Sequence, residues 1–409
     1  MNLVSGKLFW TNIDGIPNKY SYLSEDICCD VLIIGGGITG ALCAYYFANA
    51  GINTVVVDKN IIGYGSTSAS TSILQYEIDT NLIGLKRKVG MDNAVKAFKL
   101  CQEAVYDIEG IVNKLGDKCD FILNDCLYYT NKFKDVAKLK EEFDMRKKCG
   151  FDVELIDESN YKDRFSFPIK CGIYSKNGGG GINPYRFTHA LLANASDKGA
   201  LVYENTEIVS ILSEEGSEVA VTKNGFKIKA NKILIAEGFE SRKRINKNVA
   251  KFTRSFTIVT KPIENFRGWN NKCIIRDSEI IYTYLRVTAD NRIMIGGEDI
   301  EIGGERSKIC NLADDDWLAN EKYKILEEKL KLMFPYINNI QIDYRFNGLF
   351  GETKDSLPYI GVHKDMPNYY FCMGYGSNGI LYNVIGGQLL RDLHIGKNPK
   401  ELSVFGFDR

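Results

Sequence analysis

The sequence predicts a protein of the α/β (α+β) class that begins its first sheet with a β-turn-α-β unit. An apolar run rich in β-branched residues, 31–34, stops at three consecutive glycines. A helical pattern follows, and a second β-branched run, 54–57, ends at Asp58. Because strands and helices differ in the period at which apolar residues recur, this order predicts a strand, a glycine turn, a helix and a second strand.

The glycine spacing in this unit is typical of a Rossmann-like dinucleotide site. Gly35 permits the tight turn, Gly37 lets the backbone approach a pyrophosphate, and Gly40 lets the helix lie close to the strand. The free amides and the positive end of that helix favour phosphates. Asp58 follows Gly35 by 23 positions, close to the spacing of about 20 at which an acid binds a ribose hydroxyl. We therefore expect a nucleotide site here.

A membrane-spanning helix is the alternative for this stretch, because residues 31–57 carry no charge. Five glycines and a change of period inside the run argue against it. The 409 residues have a formal net charge of zero, which does not indicate nucleic acid or an anionic membrane surface as a partner. We expect no membrane span and no nucleic-acid partner.

The cysteines and histidines argue against several kinds of site. The 11 cysteines are scattered without a CxxC pair, and none of the three histidines lies near another candidate catalytic residue in the sequence. A disulfide framework and a metal site are therefore not expected, and the thiols favour a reducing, cytoplasmic location. Histidine-based acid-base chemistry is not expected either.

The remaining chain alternates between helical and strand patterns. The first 29 residues predict an extended arm, and residues 178–181 predict a glycine-rich turn. Helices are predicted over 81–115, 132–148, 184–198, 314–334 and a last segment ending at Leu393. Short strands are predicted over 121–123, 127–129, 200–204, 208–211, 219–221, 226–230 and 232–236. An antiparallel sheet is predicted from strands over 255–260, 273–276, 280–287 and 292–296.

Four blocks of this sequence carry a family resemblance. They are the Gly35-x-Gly37-x-x-Gly40 unit with Asp58, the small hydroxyl-rich segment 65–70, the strand end 233–238, and the paired tail blocks 345–361 and 369–380. In this order and spacing the chain resembles the FAD-dependent amine and amino-acid oxidoreductases of the D-amino acid oxidase, glycine oxidase and sarcosine oxidase superfamily. The resemblance covers nearly the whole length.

The resemblance implies a discontinuous Rossmann-like FAD-binding domain, 1–90, 166–248 and 340–409, and an antiparallel-sheet substrate domain, 91–165 and 249–339. Asp58 would bind the adenosine ribose, Val209 would meet the adenine through its backbone, and the segment 374–380 would approach the pyrimidine end of the flavin. The implied FAD-binding residues are Ile34, Gly35, Gly37, Ile38, Thr39, Gly40, Asp58, Lys59, Gly65, Ser66, Thr67, Ser68, Ser70, Val209, Gly238, Gly348, Gly376, Ser377, Asn378, Gly379 and Ile380.

Three positions depart from the family pattern. Sarcosine oxidases attach FAD to a cysteine where this chain has Gly348, so we expect non-covalent FAD. They also carry a lysine over the flavin that helps to activate oxygen, and an approximate match places Met294 there. Without that positive charge superoxide formation should be slow, which favours a dehydrogenase with another electron acceptor, such as a protein. Glu237 stands where the family has a small residue, so the local contact with FAD is open.

By this resemblance the reaction is transfer of a hydride from the carbon beside an amine to flavin N5, which gives an imine that water hydrolyses. An amino-acid substrate would need a carboxylate clamp, and arginine forms a planar two-bond fork to a carboxylate. Arg286 is the candidate clamp, with a surface cation as the alternative, and Tyr284 is expected in the pocket. Gln75 and Glu77 lie beside the flavin-side segment, and for both we favour a structural role.

Other classes of protein remain open. An NAD(P)-linked dehydrogenase would share the first motif but would not need the tail glycine blocks. A flavoprotein electron-transfer subunit of a larger complex would hold FAD without being reduced by any amine. A flavin hydroxylase is disfavoured because the tail lacks the second Gly-Asp block of that family.

Overall fold

The computed structural model describes residues 3–214, 216–245, 249–303, 311–313 and 315–409, apart from the side chains of 242 and 243. The strands are β1 (Val4–Gly6), β2 (Ile27–Ile34), β3 (Thr54–Val57), β4 (Ile73–Gln75), β5 (Ile122–Thr130), β6 (Val153–Asp157), β7 (Cys171–Gly181), β8 (Leu201–Tyr203), β9 (Ile208–Glu214), β10 (Ser217–Thr222), β11 (Lys227–Ile235), β12 (Lys251–Thr260), β13 (Ile274–Asp277), β14 (Tyr284–Val287), β15 (Ile293–Glu301), β16 (Ile342–Glu352), β17 (Tyr359–His363) and β18 (Met366–Met373). The helices are α1 (Trp10–Asp14), α2 (Ile38–Asn49), α3 (Leu82–Val89), α4 (Met91–Leu115), α5 (Phe133–Lys148), α6 (Pro184–Asp197), α7 (Trp317–Met333), α8 (Gly379–His394) and α9 (Leu402–Phe405).

The smaller sheet contains the predicted β-turn-α-β unit as β2, α2 and β3, which confirms that prediction. Its strands follow the order β17-β18-β11-β2-β3-β8, with β10 and β9 continuing from β11. Strand β2 pairs in parallel with both β3 and β11, so that Ile33 lies beside Val56 and Leu234. These central strands are buried on both faces, which explains their continuous apolar runs.

The larger sheet is mostly antiparallel and follows the order β1-β16-β12-β15-β14-β13-β5-β7-β4, with β6 paired to β7. Helix α7 packs on one face of this sheet through Ala319, Tyr323, Leu326 and Leu330, which share a core cluster with Phe256 and Ile295. The other face of the larger sheet approaches the smaller, parallel sheet, and residues of both sheets line one cavity. The α/β (α+β) class with an antiparallel second sheet is therefore confirmed.

The two sheets do not follow the predicted domain boundaries. Strands β1, β4, β7 and β16 lie in the larger sheet, although their residues fall in the ranges predicted for FAD binding. Helix α4 packs in the same core cluster as α2 and α8, although its residues fall in a range predicted for substrate binding. The division into two domains remains a prediction, and these elements pack with parts of the chain that it assigns to the other domain.

Several predicted elements differ in detail from the observed ones. The predicted helix 81–115 is two helices, because Gly90 adopts a left-handed φ of 83° between α3 and α4. The strands predicted over 121–123 and 127–129 are one strand, β5. The predicted extended arm contains β1 and α1, and Trp10 is buried. Asp314, the predicted start of the fourth helix, lies outside the described residues, and α7 begins at Trp317.

The prediction of a turn at residues 178–181 is wrong, because these glycines form the end of strand β7. A Cβ on Gly179 would lie 2.4 Å from the backbone oxygen of Leu74 and 2.7 Å from Cys126 Sγ. A Cβ on Gly181 would lie 2.1 Å from Arg286 Nη1. The glycines are therefore needed for close packing inside a sheet. Within the described part of the chain, no helix has the length and apolarity needed to span a membrane.

Candidate active site

The glycine turn after β2 carries the first part of the site. A Cβ on Gly40 would lie 1.8 Å from the backbone oxygen of Gly35, so α2 can lie this close to β2 only with glycine there. The first turn of α2 has amides without intrahelical acceptors, and they point along the positive end of the helix dipole. This geometry favours an anionic group at the turn.

Asp58 holds the turn from the end of β3. Its Oδ2 accepts a hydrogen bond from the amide of Gly36 at 2.8 Å, and its Oδ1 accepts one from the amide of Asn60 at 2.8 Å. Burial raises the pKa of this carboxyl, and the two amide bonds lower it in part. A carboxylate has further lone pairs, which suit the hydroxyls of a ribose. The amide of Thr206 donates to the backbone oxygen of Asp58 at 2.8 Å, which places the segment before β9 at this end of the site.

Residues 66–69 form a short 3₁₀ helix that lies over the glycine turn. The hydroxyl of Thr67 accepts a hydrogen bond from the amide of Ile38 at 3.0 Å. Thr67 therefore satisfies one orphan amide of α2, while its neighbours Gly65 and Ser66 line the cavity described below.

Asp79 joins the tail turn to the larger sheet. Its Oδ2 accepts from the amide of Ser377 at 3.1 Å, and its Oδ1 accepts from the hydroxyl of Tyr282 at 2.9 Å. The guanidinium of Arg276 lies 3.6 Å from Oδ1 and donates to the backbone oxygens of Ile78 at 3.4 Å and Asp79 at 2.9 Å. Burial is the largest single effect on the pKa of Arg276 and lowers it, but Asp79 together with the smaller contributions of Tyr128, Tyr282 and Glu77 makes the net shift upward.

The face of the larger sheet contributes Tyr284, Ser255 and Asp299. The hydroxyls of Tyr284 and Ser255 are 3.1 Å apart, and the Tyr284 ring lies against Gly296, where a Cβ would be 2.4 Å away. Burial raises the pKa of the Tyr284 hydroxyl, so it stays protonated at neutral pH. Burial also raises the pKa of Asp299, to about 6, while the hydroxyl of Ser255 partly offsets this shift.

These parts surround a cavity of about 710 Å³ that is lined by residues of both sheets. This volume lies within the usual range of about 300–1,000 Å³ for ligand sites. From Asp58 and Val209 the lining passes the glycine turn and the 3₁₀ helix to the tail turn and the sheet face. The order matches a ribose, a phosphate pair and a planar ring system, so the residues present fit FAD.

Most residues predicted to bind FAD line this cavity. Those that do are Ile34, Gly35, Gly37, Ile38, Thr39, Asp58, Lys59, Gly65, Ser66, Thr67, Ser70, Val209, Gly238, Gly348, Gly376, Ser377, Gly379 and Ile380. The exceptions are Gly40, Ser68 and Asn378, which do not appear in the lining and act behind it. Ser68 donates to the backbone oxygen of Gly65 at 2.8 Å, and Asn378 donates to the backbone oxygen of Gln75 at 2.8 Å.

The two predicted catalytic residues occupy different environments. Tyr284 lines the cavity, but Arg286 is not in its lining. The guanidinium of Arg286 donates to the backbone oxygens of Thr71 at 2.7 Å and Ile182 at 3.0 Å. Burial lowers its pKa to about 10, and its face lies 5.3 Å from the centre of the Trp10 ring. The clamp role of Arg286 stays a prediction, and these contacts favour a structural role instead.

The positions that depart from the family pattern also have definite surroundings. Glu237 lines the cavity and is neutralised by Arg244, whose two nitrogens donate to it at 2.8 and 2.9 Å. Met294 is buried in a cluster with Phe9 and Trp10 and does not line the cavity. The approximate match had placed Met294 over the flavin, and the structure does not reproduce that placement.

A structural role was favoured for both Gln75 and Glu77, but the two side chains have different surroundings. Gln75 lines the cavity, contrary to that expectation. Glu77 is buried and ion-paired with Arg146, as a structural role requires.

Several cavity residues were not singled out from the sequence. They include Thr71, Arg244, Ser255, Thr257, Arg276, Tyr282, Asp299 and Phe350. No local motif marks them, because they converge from separate strands, loops and a short 3₁₀ helix. Alternation along the predicted strands was the available signal, since it places Tyr282 and Tyr284 on one face.

Comparisons with known proteins agree with this geometry. The family model described as DAO, FAD dependent oxidoreductase, matches residues 30–393. γ-Glutamylputrescine oxidoreductase of Escherichia coli K12 is 25% identical over 389 residues, which cover 92% of this chain and 86% of that protein. Glycine oxidase of Bacillus subtilis 168 is 24% identical over 396 residues, covering 93% and 97%. The crystal structure of glycine oxidase from Geobacillus kaustophilus has the same fold, with a TM-score of 0.78, 19% identity and coverage of 93% of this chain and 99% of that one.

Proposed function

The chain belongs to the DAO family of FAD-dependent oxidoreductases, and we propose that it is a dehydrogenase that oxidises the C–N bond of an amine or amino acid. The observation that carries the proposal is the cavity that joins the nucleotide unit to the sheet face. Bound FAD supplies the hydride acceptor in this family's chemistry. The protein's part is to hold FAD, to orient the C–H bond beside the nitrogen and to keep water away from it.

The residues of the nucleotide unit would hold FAD in the following way. Asp58 would accept the ribose hydroxyls, and the first-turn amides of α2 would face the phosphates. The turn 374–380, fixed through Ser377 and Asp79, would support the flavin on the tail side. Tyr284 and Tyr282 would form the wall of the substrate chamber. Their hydroxyls, which are hydrogen-bonded to Ser255 and Asp79 respectively, would orient the amine.

A dehydrogenase is favoured over an oxidase by the charges around the cavity. Transfer of an electron to oxygen builds negative charge, which an unpaired cation beside the flavin would stabilise. Among the described lining residues each lysine or arginine already faces a carboxylate. The pairs are Lys59 with Glu240 at 2.5 Å, Arg244 with Glu237 at 2.8 Å and Arg276 with Asp79 at 3.6 Å. The electrons would then leave to another acceptor, for which a redox protein is our proposal.

Non-covalent binding of FAD is proposed because Gly348 offers no nucleophile at the cavity. Acid precipitation of the yellow holoprotein should therefore release free FAD into the supernatant. A yellow pellet would contradict this.

The function is tested by anaerobic spectroscopy of the purified holoprotein with a panel of amino acids, primary amines and secondary amines. Bleaching of the flavin bands by one compound is the expected result. Admission of air then separates the two activities, since an oxidase recolours within a turnover and a dehydrogenase stays pale for minutes. A flavin that no compound bleaches would contradict the proposed function and favour an electron-transfer subunit.

A further inference from the structure

Asp299 stands out in the cavity because it is an acid with no cation opposite it among the described residues. Its Oδ1 is buried and makes no hydrogen bond to the described part of the chain. The preceding residue, Glu298, has two lysines from α7, Lys322 at 3.0 Å and Lys329 at 2.6 Å. Two adjacent carboxylates thus have opposite environments, one paired on the helix side and one turned to the cavity.

A β-bulge in β15 contains these two acids and sets which of them faces the cavity. Strand β15 pairs with β12 so that Arg254 lies opposite Ile300 and Phe256 lies opposite Gly297, which leaves Glu298 and Asp299 facing the single residue between them, Ser255. Glu298 has a φ of 58°, a left-handed conformation that is uncommon outside glycine. Bulges redirect side chains and are frequent beside active sites, where such backbone strain is tolerated.

The charged groups around Asp299 leave the chamber negative. Arg276 is committed to Asp79 and to two backbone oxygens. Glu352 adds a further carboxylate that acts on Asp299. An α-carboxylate would therefore enter a chamber in which Asp79 already neutralises the guanidinium of Arg276. The charges that remain are carboxylates, which repel it. An ammonium group would instead find a buried, unpaired acceptor.

We propose that Asp299 is the ionic anchor for an ammonium group of the substrate, so that the enzyme selects a cationic amine without an α-carboxylate. This inference rests on the proposed function and names the substrate class of the same site. The Asp299 carboxylate accepts hydrogen bonds from the ammonium, while Tyr282 and Tyr284 close the chamber around the aliphatic chain. Selection against an amino acid follows from the unpaired negative charge, and also because each lysine and arginine among the described lining residues already faces a carboxylate.

The test compares 1,4-diaminobutane with ornithine, which has the same chain plus an α-carboxylate. Anaerobic stopped-flow reduction of the holoprotein gives the Kd and the limiting reduction rate separately for each compound. Wild type should favour the diamine by at least about tenfold in the ratio of rate to Kd, the loss expected for a charged hydrogen bond. Asp299→Asn should raise the diamine Kd by about tenfold with little change in limiting rate, and Asp299→Glu should restore part of it.

The matched control is Glu301→Gln, which removes the same charge from an exposed position of the same strand. It should leave both compounds unchanged. If ornithine reduces the wild type with the same ratio of rate to Kd as the diamine, the inference is overturned but the proposed function stays intact. An Asp299→Asn variant that retains FAD and the wild-type ratio would overturn it in the same way.

A binding measurement keeps the inference testable without turnover. A 1,4-diamine that carries two methyl groups on the carbon beside each nitrogen keeps its ammonium N–H donors but has no C–H bond there, so it cannot be oxidised to an imine, and its binding is read by calorimetry. Wild type should bind this dication about tenfold more tightly than Asp299→Asn does, even if no compound bleaches the flavin and the proposed function fails. If the variant does not fold, binding to wild type across pH decides, because affinity must fall as Asp299 is protonated below about pH 6. Affinity independent of pH there would overturn the inference.

Discussion

A buried ion triad behind the cavity gives the sharpest stability prediction. Arg146 on α5 pairs with Glu77 and donates from Nε to Glu142 Oε1 at 2.8 Å, and all three side chains are at most 3% exposed. Glu142 also accepts the amides of Leu82 at 2.8 Å and Ile83 at 3.0 Å, which are the first residues of α3. The triad therefore fixes the chain on both sides of Asp79, two residues after Glu77.

Arg146→Met should destabilise the protein strongly, because it leaves two carboxylates buried without their cation. Removal of one partner from a buried pair costs about 3–5 kcal/mol. A control with the same i,i+4 spacing is available on α7, where Lys331 pairs with Glu327 at 2.6 Å but is half exposed. Lys331→Met should cost only about 0.3–0.5 kcal/mol, the usual value for exposed helical pairs.

The free energies of unfolding are compared by urea denaturation of the holoproteins at saturating FAD. The double variant Arg146→Met, Glu77→Gln removes one uncompensated charge and should recover part of the loss. If Arg146→Met falls within about 1 kcal/mol of Lys331→Met, the triad is effectively solvated and the reasoning from burial is refuted.

Three further outcomes follow from the site. Asp58→Ala should weaken FAD binding by about tenfold or more, because it removes a charged acceptor worth about 1.5–3 kcal/mol; fluorescence titration with FAD measures it, and a change below about threefold would contradict the ribose role. Arg286→Met should lower stability by about 1–3 kcal/mol by leaving two buried carbonyls without donors, and a selective rise in Kd for carboxylate substrates would instead restore the clamp. Asp299 has a folded pKa of about 6, above the ordinary 3.8. The contribution of Asp299 to the free energy of unfolding should therefore fall as pH rises from about 4 to 6, by at most about 3 kcal/mol at 1.36 kcal/mol per unit. Asp299→Asn should lose this dependence in urea unfolding across that range.

The nucleotide half of the site was predictable because its determinants are local. The turn, the helix and the second strand follow one another within 30 residues, and Gly40 and Asp58 act on neighbours in that same unit. Spacing alone is enough to place such residues. The same holds for residues 65–70, which directly follow the unit and lie over its turn.

The substrate half was not predictable to the same degree because its contacts are long-range. Asp79 meets Ser377 across 298 positions and Tyr282 across 203. Arg276 and Arg286 are both buried arginines ten positions apart, on strands β13 and β14, and the sequence offers no means of telling which faces the cavity. The structure separates them by partners: a carboxylate for Arg276, and backbone carbonyls for Arg286.

The position of Asp299 shows how small the deciding feature is. In a regular strand successive side chains point to opposite faces, so a period of two fixes which acid meets the lysines of α7. The extra residue in β15 opposite Ser255 changes that phase once, and the strand beyond it continues with the other phase. Without the bulge, the residues beyond it would exchange faces, and regular alternation would turn Asp299 away from the cavity wall. Which of the two acids lines the chamber therefore depends on one inserted residue in the pairing, which composition and apolar periodicity do not reveal.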